Sequence, residues 1–368
     1  MKKVVVFFLG FVLTVSVGFV SLNFFTLPDR SLISPSLDEI TTAAANELES
    51  LEPPPYVVYA PLTVDSIFAS QKKRTNSADD VVIVATGDII PARVTNAKMK
   101  SKGVGYPFLK IESILKSGDL TVANLEAPLT KNCQVTLEGM TFCGTVDFAD
   151  SMKRHGVSLV TLENNHINNH GAQGISDTIN ALESAQLPFS RFDTPYITEI
   201  KGQRFGFIPI NGVGPAINRA LLSERIRDLR NKVDVLIVTV HWGKEYTYDP
   251  SSAPGIAPDD PQEIGHLMVD SGADVVFGNH PHWVQGVELY KDAFISYSHG
   301  NFIFDQEWSQ ETKEGVIGSY TFAKGKLVDV SFTPIVIEDF AQPRPAVENE
   351  GNKILDAMKM SSVRIMNR

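Results

Sequence analysis

The sequence predicts a layered α/β fold, and three observations predict it. From about residue 80, short β-branched apolar runs alternate with segments of helical period. Six of the eight histidines sit just past the ends of such runs. Near the end of the chain, 315–322 and 326–337 read as consecutive antiparallel strands around an Ala323-Lys324-Gly325 turn.

Taken in order, the run 81–85 precedes Thr86-Gly87-Asp88, and 120–123 precedes Asn124-Leu125-Glu126. The run 157–162 leads into Glu163-Asn164-Asn165-His166, with His170 four residues on. After 205–209 the chain offers only Ile210-Asn211-Gly212, with no clear ligand beyond the Asn. The run 235–240 enters His241-Trp242-Gly243, 275–277 enters Gly278-Asn279-His280-Pro281-His282, and 294–297 precedes His299-Gly300-Asn301. Helical period marks 108–116, 147–155, 175–185, 217–232 and 261–271. In an open α/β sheet, ligands bind outside the carboxyl ends of the strands. Imidazoles and short polar side chains gathered there are what a nitrogen/oxygen metal site needs.

At 368 residues, 43% hydrophobic and 21% charged, the chain can bury an ordinary core. A formal charge of −10 argues against a nucleic-acid partner, which calls for a basic patch or stripe. Lys2 and Lys3 precede an apolar stretch, 4–22, long enough as a helix to span about 29 Å. Residues 1–27 therefore read as a signal anchor with a cytoplasmic start, or as a cleaved signal peptide with Ser16 and Gly18 near the cut. Either reading places the domain outside the cytoplasm. Residues 28–79, with Pro53-Pro54-Pro55, read as a flexible linker carrying a short strand at 56–59. The domain proper is 80–340, and 341–368 reads as a polar tail with a short amphipathic helix at 353–360. Cys133 and Cys143 flank a looped segment; in an exported protein they predict a disulfide, with two free thiols as the alternative.

His280 and His282 form the sharpest pair, because alternate residues of an extended segment point the same way and Pro281 stiffens the turn. His241, closing a Val/Ile/Leu run, is buried and needs a partner, either a metal or an ordinary core contact. Asp88 and Glu126 are carboxylates placed to bind metal, or else a helix cap and a salt bridge. Asn165 can ligate through its carbonyl and His166 can donate to an anion, although Asn-rich turns are common. His155 and His266 fall within predicted helices and read as structural. No G-x-S-x-G elbow, phosphate loop or dinucleotide fingerprint is present.

In this order the motifs resemble the capsule synthesis protein CapA, or poly-γ-glutamate biosynthesis, family, which is related to calcineurin-like metallophosphoesterases. The matching stretches are Thr86-Gly87-Asp88-Ile89 with Arg93, Ala123-Asn124-Leu125-Glu126, Asn164-Asn165-His166 and His241-Trp242-Gly243-Lys244-Glu245-Tyr246. They continue through Gly278-Asn279-His280-Pro281-His282 with Gln285, and Gly300-Asn301-Phe302-Ile303-Phe304-Asp305. The resemblance spans about residues 80–308 and implies a four-layer α/β/β/α sandwich. It implies Asp88, Glu126, Asn165, His241, His280 and His282 as ligands of one or two divalent ions, Mn, Zn or Fe. It also implies His166 as acid or anion donor, with Arg93 and Glu245 as pocket residues. The chain departs from the D-x-H opening of standard metallophosphoesterases, since Ile90 stands at the His position, and from their G-D bridging carboxylate at Asn124-Leu125-Glu126. His170 stands where many such relatives have Asp, and either supplies a lost ligand or only hydrogen-bonds nearby.

Two functional classes follow. One is an extracytoplasmic metal-dependent hydrolase acting on a phosphoester or on an amide of an anionic polymer such as poly-γ-glutamate. The other is a non-catalytic subunit that holds polymer beside the membrane subunits of a synthase or export complex.

Overall fold

The structure, a computed structural model, describes residues 61–69 and 76–368. The predicted membrane segment, most of the linker and the strand expected at 56–59 lie outside the described residues. Among the described residues, no helix is long and apolar enough to cross a membrane.

Two large sheets organise the chain. The strands of the first are β1 (Val81–Ile89), β2 (Leu120–Leu125), β5 (Leu159–Thr161), β6 (Phe189–Ser190), β13 (Asn301–Ile303), β14 (Glu314–Ala323), β15 (Lys326–Glu338) and β16 (Gln342–Pro345). They run in the order β16-β15-β14-β1-β2-β5-β6, with β13 also paired to β1. The second sheet holds β7 (Tyr196–Ile200), β8 (Gln203–Asn211), β9 (Val235–His241), β10 (Val275–Asn279), β11 (Val287–Tyr290) and β12 (Ala293–Ser296). Its order is β11-β12-β10-β9-β8-β7. A two-stranded piece pairs β3 (Leu129–Thr130) with β4 (Gly144–Thr145).

Strand alternation decides which side chains face which layer. In β1, Val81, Ile83 and Ala85 enter a core shared with Phe205, Phe207, Val235, Ile237, Val275 and Phe277 of the second sheet. Val84, on the opposite face, packs with Met99, Phe108, Phe148 and Leu182. Those four come from α2 (Arg93–Lys102), the 3₁₀ turn Tyr106–Phe108, α4 (Phe148–Arg154) and α5 (Gly171–Ser184). On the far face of the second sheet, Ile208, Leu236, Val238 and Val276 pack with Leu222, Ile226, Ile264 and Met268. These belong to α6 (Arg219–Arg230) and α7 (Pro261–Asp270). Every residue of β9 is buried, as expected of a parallel strand covered on both faces.

Local chemistry explains most boundaries. α7 opens with Pro261 after Asp260, whose side chain accepts from the backbone N–H of Gln262 and Glu263. The β14–β15 hairpin turns on Lys324 and Gly325, both at positive φ, the geometry a two-residue hairpin favours. The helical period at 108–116 resolves only into the 3₁₀ turn and the single turn α3 (Glu112–Leu115).

Two segment assignments are corrected. Within the expected linker, α1 (Val64–Phe68) buries Val64 and Ile67 in the inter-sheet core, with Thr63 capping it. The expected polar tail forms β16 and, enclosing the short helix expected at 353–360, the longer helix α8 (Glu348–Met366). Ile354 and Met358 join the inter-sheet core and Ile365 the second sheet's outer core. Burial of each such side chain contributes about 1.5–3 kcal/mol, which outweighs the polarity of the residues between them.

Candidate metal centre

Register places the chemistry. In the first sheet Asp88 lies opposite Asn301 on β13 and Asn124 on β2. In the second, His241 lies opposite Asn279 on β10 and Asn211 on β8. These two polar rows cross the carboxyl ends of the parallel strands, where the backbone stops pairing and ligand loops begin.

Asp88, Glu126, His241, His280 and His282 are all buried. Ligand atoms of Asp88, Glu126 and His241 lie within 4.8 Å of one another, and so do those of Glu126, His280 and His282. His241 Nε2 is 3.1 Å from Glu126 Oε1 and 2.9 Å from Asn165 Oδ1. Asn124 Nδ2 donates to Asp88 Oδ1 at 2.8 Å and approaches His241 Nδ1 at 3.3 Å. The backbone N–H of His280 donates to Asp88 Oδ2 at 3.1 Å. His280 and His282 converge as expected, but through left-handed backbone (φ 96° and 59°) rather than extended alternation. Strain of that kind concentrates at functional sites.

A divalent cation fits this donor set. Neither carboxylate oxygen of Glu126 and neither ring nitrogen of His280 has a hydrogen-bond partner, although all four atoms are buried. Each such group costs about 1–3 kcal/mol when left unmade. The remaining ligand candidates are oriented from behind. Asn301 Nδ2 donates to the Thr312 carbonyl, which turns its Oδ1 toward His282 Nδ1 at 2.9 Å and leaves His282 Nε2 for the centre.

The charges are unequal. Burial, then the charge of Asp88, pushes Glu126 well above the usual carboxylate range. Burial would also raise Asp88, but His282 and then His241 hold it below its ordinary value. Burial lowers His241 to about 4 and drives His280 well down. For His282, burial is overcome by Asp88, Glu126 and Glu245, and the ring rises to about 9.

Glu245 is half-buried at the rim, its Oε1 3.7 Å from His282 Nε2 and 4.0 Å from His280 Nε2. His166 packs against Phe142 with ring centroids 4.4 Å apart. Asn169 Oδ1 must be the oxygen, because it accepts from the backbone N–H of Phe142 at 2.7 Å. It therefore also accepts from His166 Nδ1 at 3.0 Å. Burial lowers His166 to about 4, so the neutral ring presents a lone pair at Nε2. In that state it is a proton acceptor, and the acid role expected from the sequence requires the protonated ring.

Arg93, expected as a pocket residue, has its guanidinium held by internal partners. Its Nε bonds both Asp305 oxygens at 3.1 and 3.2 Å, its Nη2 bonds the same carboxylate, and its Nη1 donates to the Gly139 carbonyl at 3.2 Å. The guanidinium also lies over the rings of Phe142 and Phe304. The Gly139 loop is closed by the Cys133–Cys143 disulfide, as the sequence predicts. His170 does not join the cluster; it is exposed and stands at the N-terminal boundary of α5. His299 is buried in the core, 2.7 Å from Tyr320 Oη. Ile90, at the missing D-x-H position, fills an apolar wall with Ala92, Ala127, Phe142 and Phe304. Sequence reasoning assigned no role to Asn169, whose only signal was its place in the Asn-rich turn, nor to Asn124, Asn301 or Asp305.

The model of the family described as bacterial capsule synthesis protein PGA_cap matches residues 82–306. A capsule biosynthesis protein CapA from Bacillus anthracis is 27% identical over 305 residues, covering 75% of this chain and 72% of that protein. A PGA biosynthesis protein CapA from Bacillus subtilis is 26% identical over 297 residues, covering 74% and 76%. Among solved structures, a candidate 5′-nucleotidase from Staphylococcus aureus aligns at 13% identity and a TM-score of 0.46, covering 76% of this chain and 58% of that one.

Proposed function

The chain belongs to the bacterial capsule synthesis protein PGA_cap family, and from that premise we propose an extracytoplasmic protein of capsule or poly-γ-glutamate synthesis or processing whose buried cluster is a metal-dependent hydrolytic site. We read the two sheets, with helices outside them, as a four-layer sandwich of the metallophosphoesterase type. The N-terminal segment holds the domain at the membrane. The substrate is a phosphoester or an amide of an anionic polymer; the names of the Bacillus relatives support the polymer.

The observation that carries this reading is the unpartnered set, the Glu126 carboxylate and the His280 ring, buried among two more histidines and Asp88. Asp88, Glu126, Asn165, His241, His280 and His282 would hold one or two ions, and an all nitrogen/oxygen set suits Mn, Zn or Fe. When bound, a divalent ion polarises the scissile group and neutralises developing charge. The protein's own groups do the rest. His166, held through Nδ1 by Asn169, takes or returns a proton at Nε2. Glu245 orients the attacking water at the rim. Phe142, Phe304 and Ile90 keep bulk water from that side.

That same apolar wall favours a second reading, a polymer-holding subunit of a membrane synthase complex, because Ile90 in it stands where the D-x-H histidine of standard metallophosphoesterases would supply a further ligand. Elemental analysis of the full chain, wild type beside the His280→Ala/His282→Ala double variant, separates the two. It is run with phosphodiester and poly-γ-glutamate hydrolysis assays. One or two equivalents of metal lost together with turnover support the hydrolase. Metal-free wild type, or bound metal with no turnover of either substrate, supports the polymer-holding subunit.

A further inference from the structure

The loops around the metal centre also gather aromatic rings that the chemistry above does not use. Tyr246 stacks on His282 with centroids 5.9 Å apart, and Trp308 meets Tyr246 edge-on at 4.8 Å. Tyr248 packs on Trp283 at 4.9 Å, directly after the His280-Pro281-His282 turn. Gln306 Nε2 donates to Tyr246 Oη at 3.0 Å, which fixes the middle ring of the series. The outermost ring, Trp308, is 60% exposed.

A lone exposed apolar side chain needs no explanation. Trp308 is not alone: it continues an ordered row of rings that begins at His282. So large an apolar face left in water beside a site, bordered by polar residues, is the kind of surface that meets a ligand. Arg93 does not compete for that ligand, since its Nε, Nη1 and Nη2 are all bonded internally. The mouth therefore offers flat π faces, not free guanidinium. Tyr and Trp offer large rigid amphipathic surfaces at low conformational-entropy cost, which suits them to stacking on flat, uncharged groups.

We propose that Trp308 and Tyr246 form a subsite for the planar amide of a polyamide chain, adjoining the group held at the metal centre. The proposal rests on the polymer reading given above. An extended γ-linked chain carries an amide plane at every repeat, with a methylene on its carbonyl side and a carboxylate-bearing carbon on its nitrogen side. One unit therefore reaches the ligand cluster while the amide of the next lies on the indole. Monomeric glutamate has no such amide, and the subsite discriminates against it.

The test is equilibrium binding to the full chain of a γ-linked glutamate oligomer, monomeric glutamate and a nucleoside monophosphate. Wild type is compared with Trp308→Ala and Trp308→Phe, and bound metal is measured in each. Trp308→Ala is expected to weaken oligomer binding about tenfold, the effect of one aromatic contact. Trp308→Phe should recover most of that loss, with monomer affinity and metal content unchanged. Equal oligomer binding by wild type and Trp308→Ala overturns the subsite and leaves the polymer reading standing. A loss confined to the nucleoside monophosphate overturns the amide assignment in favour of a base. A wild type that binds metal but no oligomer overturns the polymer reading and the subsite together.

Discussion

Gly87 and Gly300 meet backbone to backbone: a Cβ on Gly87 would stand 2.0 Å from the Gly300 carbonyl oxygen. The same oxygen accepts from the backbone N–H of Asp88 at 3.1 Å. The Thr86-Gly87-Asp88 and His299-Gly300-Asn301 motifs are thus two halves of one contact that sets Asp88 against Asn301. The obstructing atom is backbone and cannot rotate away. Gly87→Ala is therefore expected to destabilise the domain by about 3 kcal/mol or more and to lower bound metal in parallel. Urea unfolding with metal analysis checks it; an unchanged midpoint refutes the close-approach account.

Glu126→Gln separates stability from metal affinity. The carboxylate is buried without a hydrogen bond, and burial pushes it well above the usual range. Removing its charge should leave metal-stripped protein at least as stable as wild type. Saturating metal stabilises wild type by about 2.7 kcal/mol at a hundredfold excess over Kd, and the variant should lose most of that gain. Thermal unfolding with and without added metal reads both effects, and a variant that keeps the full gain removes Glu126 from the ligand set.

The pH dependence of stability should carry the signature of His299. Burial holds this ring at about 4, below the ordinary 6.5, so it is neutral in the folded chain at neutral pH. The unfolded chain binds the proton first as pH falls, so stability is full above 6.5 and declines down to about 4. The ceiling on the loss is about 3 kcal/mol. His299→Gln should flatten the slope of unfolding free energy across that window in metal-loaded protein. An identical slope would assign the titration to other groups.

The motifs announced the centre because they sit where short strands end, and strand ends are legible as apolar runs closing on polar residues. Asp88, Glu126, His241, His280 and His282 converge for that reason. His170 and His299 satisfied the same rule and do not converge, since position after a run does not say which way a side chain turns. Arg93 entered only through the family resemblance; its partner Asp305 is 212 residues away, and no local pattern reports such a pair. The C-terminal helix was read short because Gly351, Ser361 and Ser362 interrupt its apolar stripe. Those small residues are buried, and Gly286 packs backbone to backbone against Ser362.

Arg93 and Asp305 offer the sharpest discrimination between an anion-binding arginine and a structural one. If Arg93 receives substrate, Asp305→Asn frees its guanidinium and should tighten binding of anionic ligand, while Arg93→Lys weakens it. The geometry predicts otherwise, because the bidentate pair and the Nη1 bond to Gly139 tie α2 and the Asp305 loop to the disulfide-closed loop. Removing one partner leaves the other charge buried and uncompensated, at a cost of about 3–5 kcal/mol. Removing both should cost little more than removing one, giving a large coupling energy in a double-mutant cycle. Arg93→Met, Asp305→Leu and their combination, followed by urea unfolding, supply that cycle. Additive losses, together with tighter anion binding by Asp305→Asn, would return Arg93 to the pocket. Strong coupling with unchanged anion affinity establishes it as the clamp that holds Phe142 over His166.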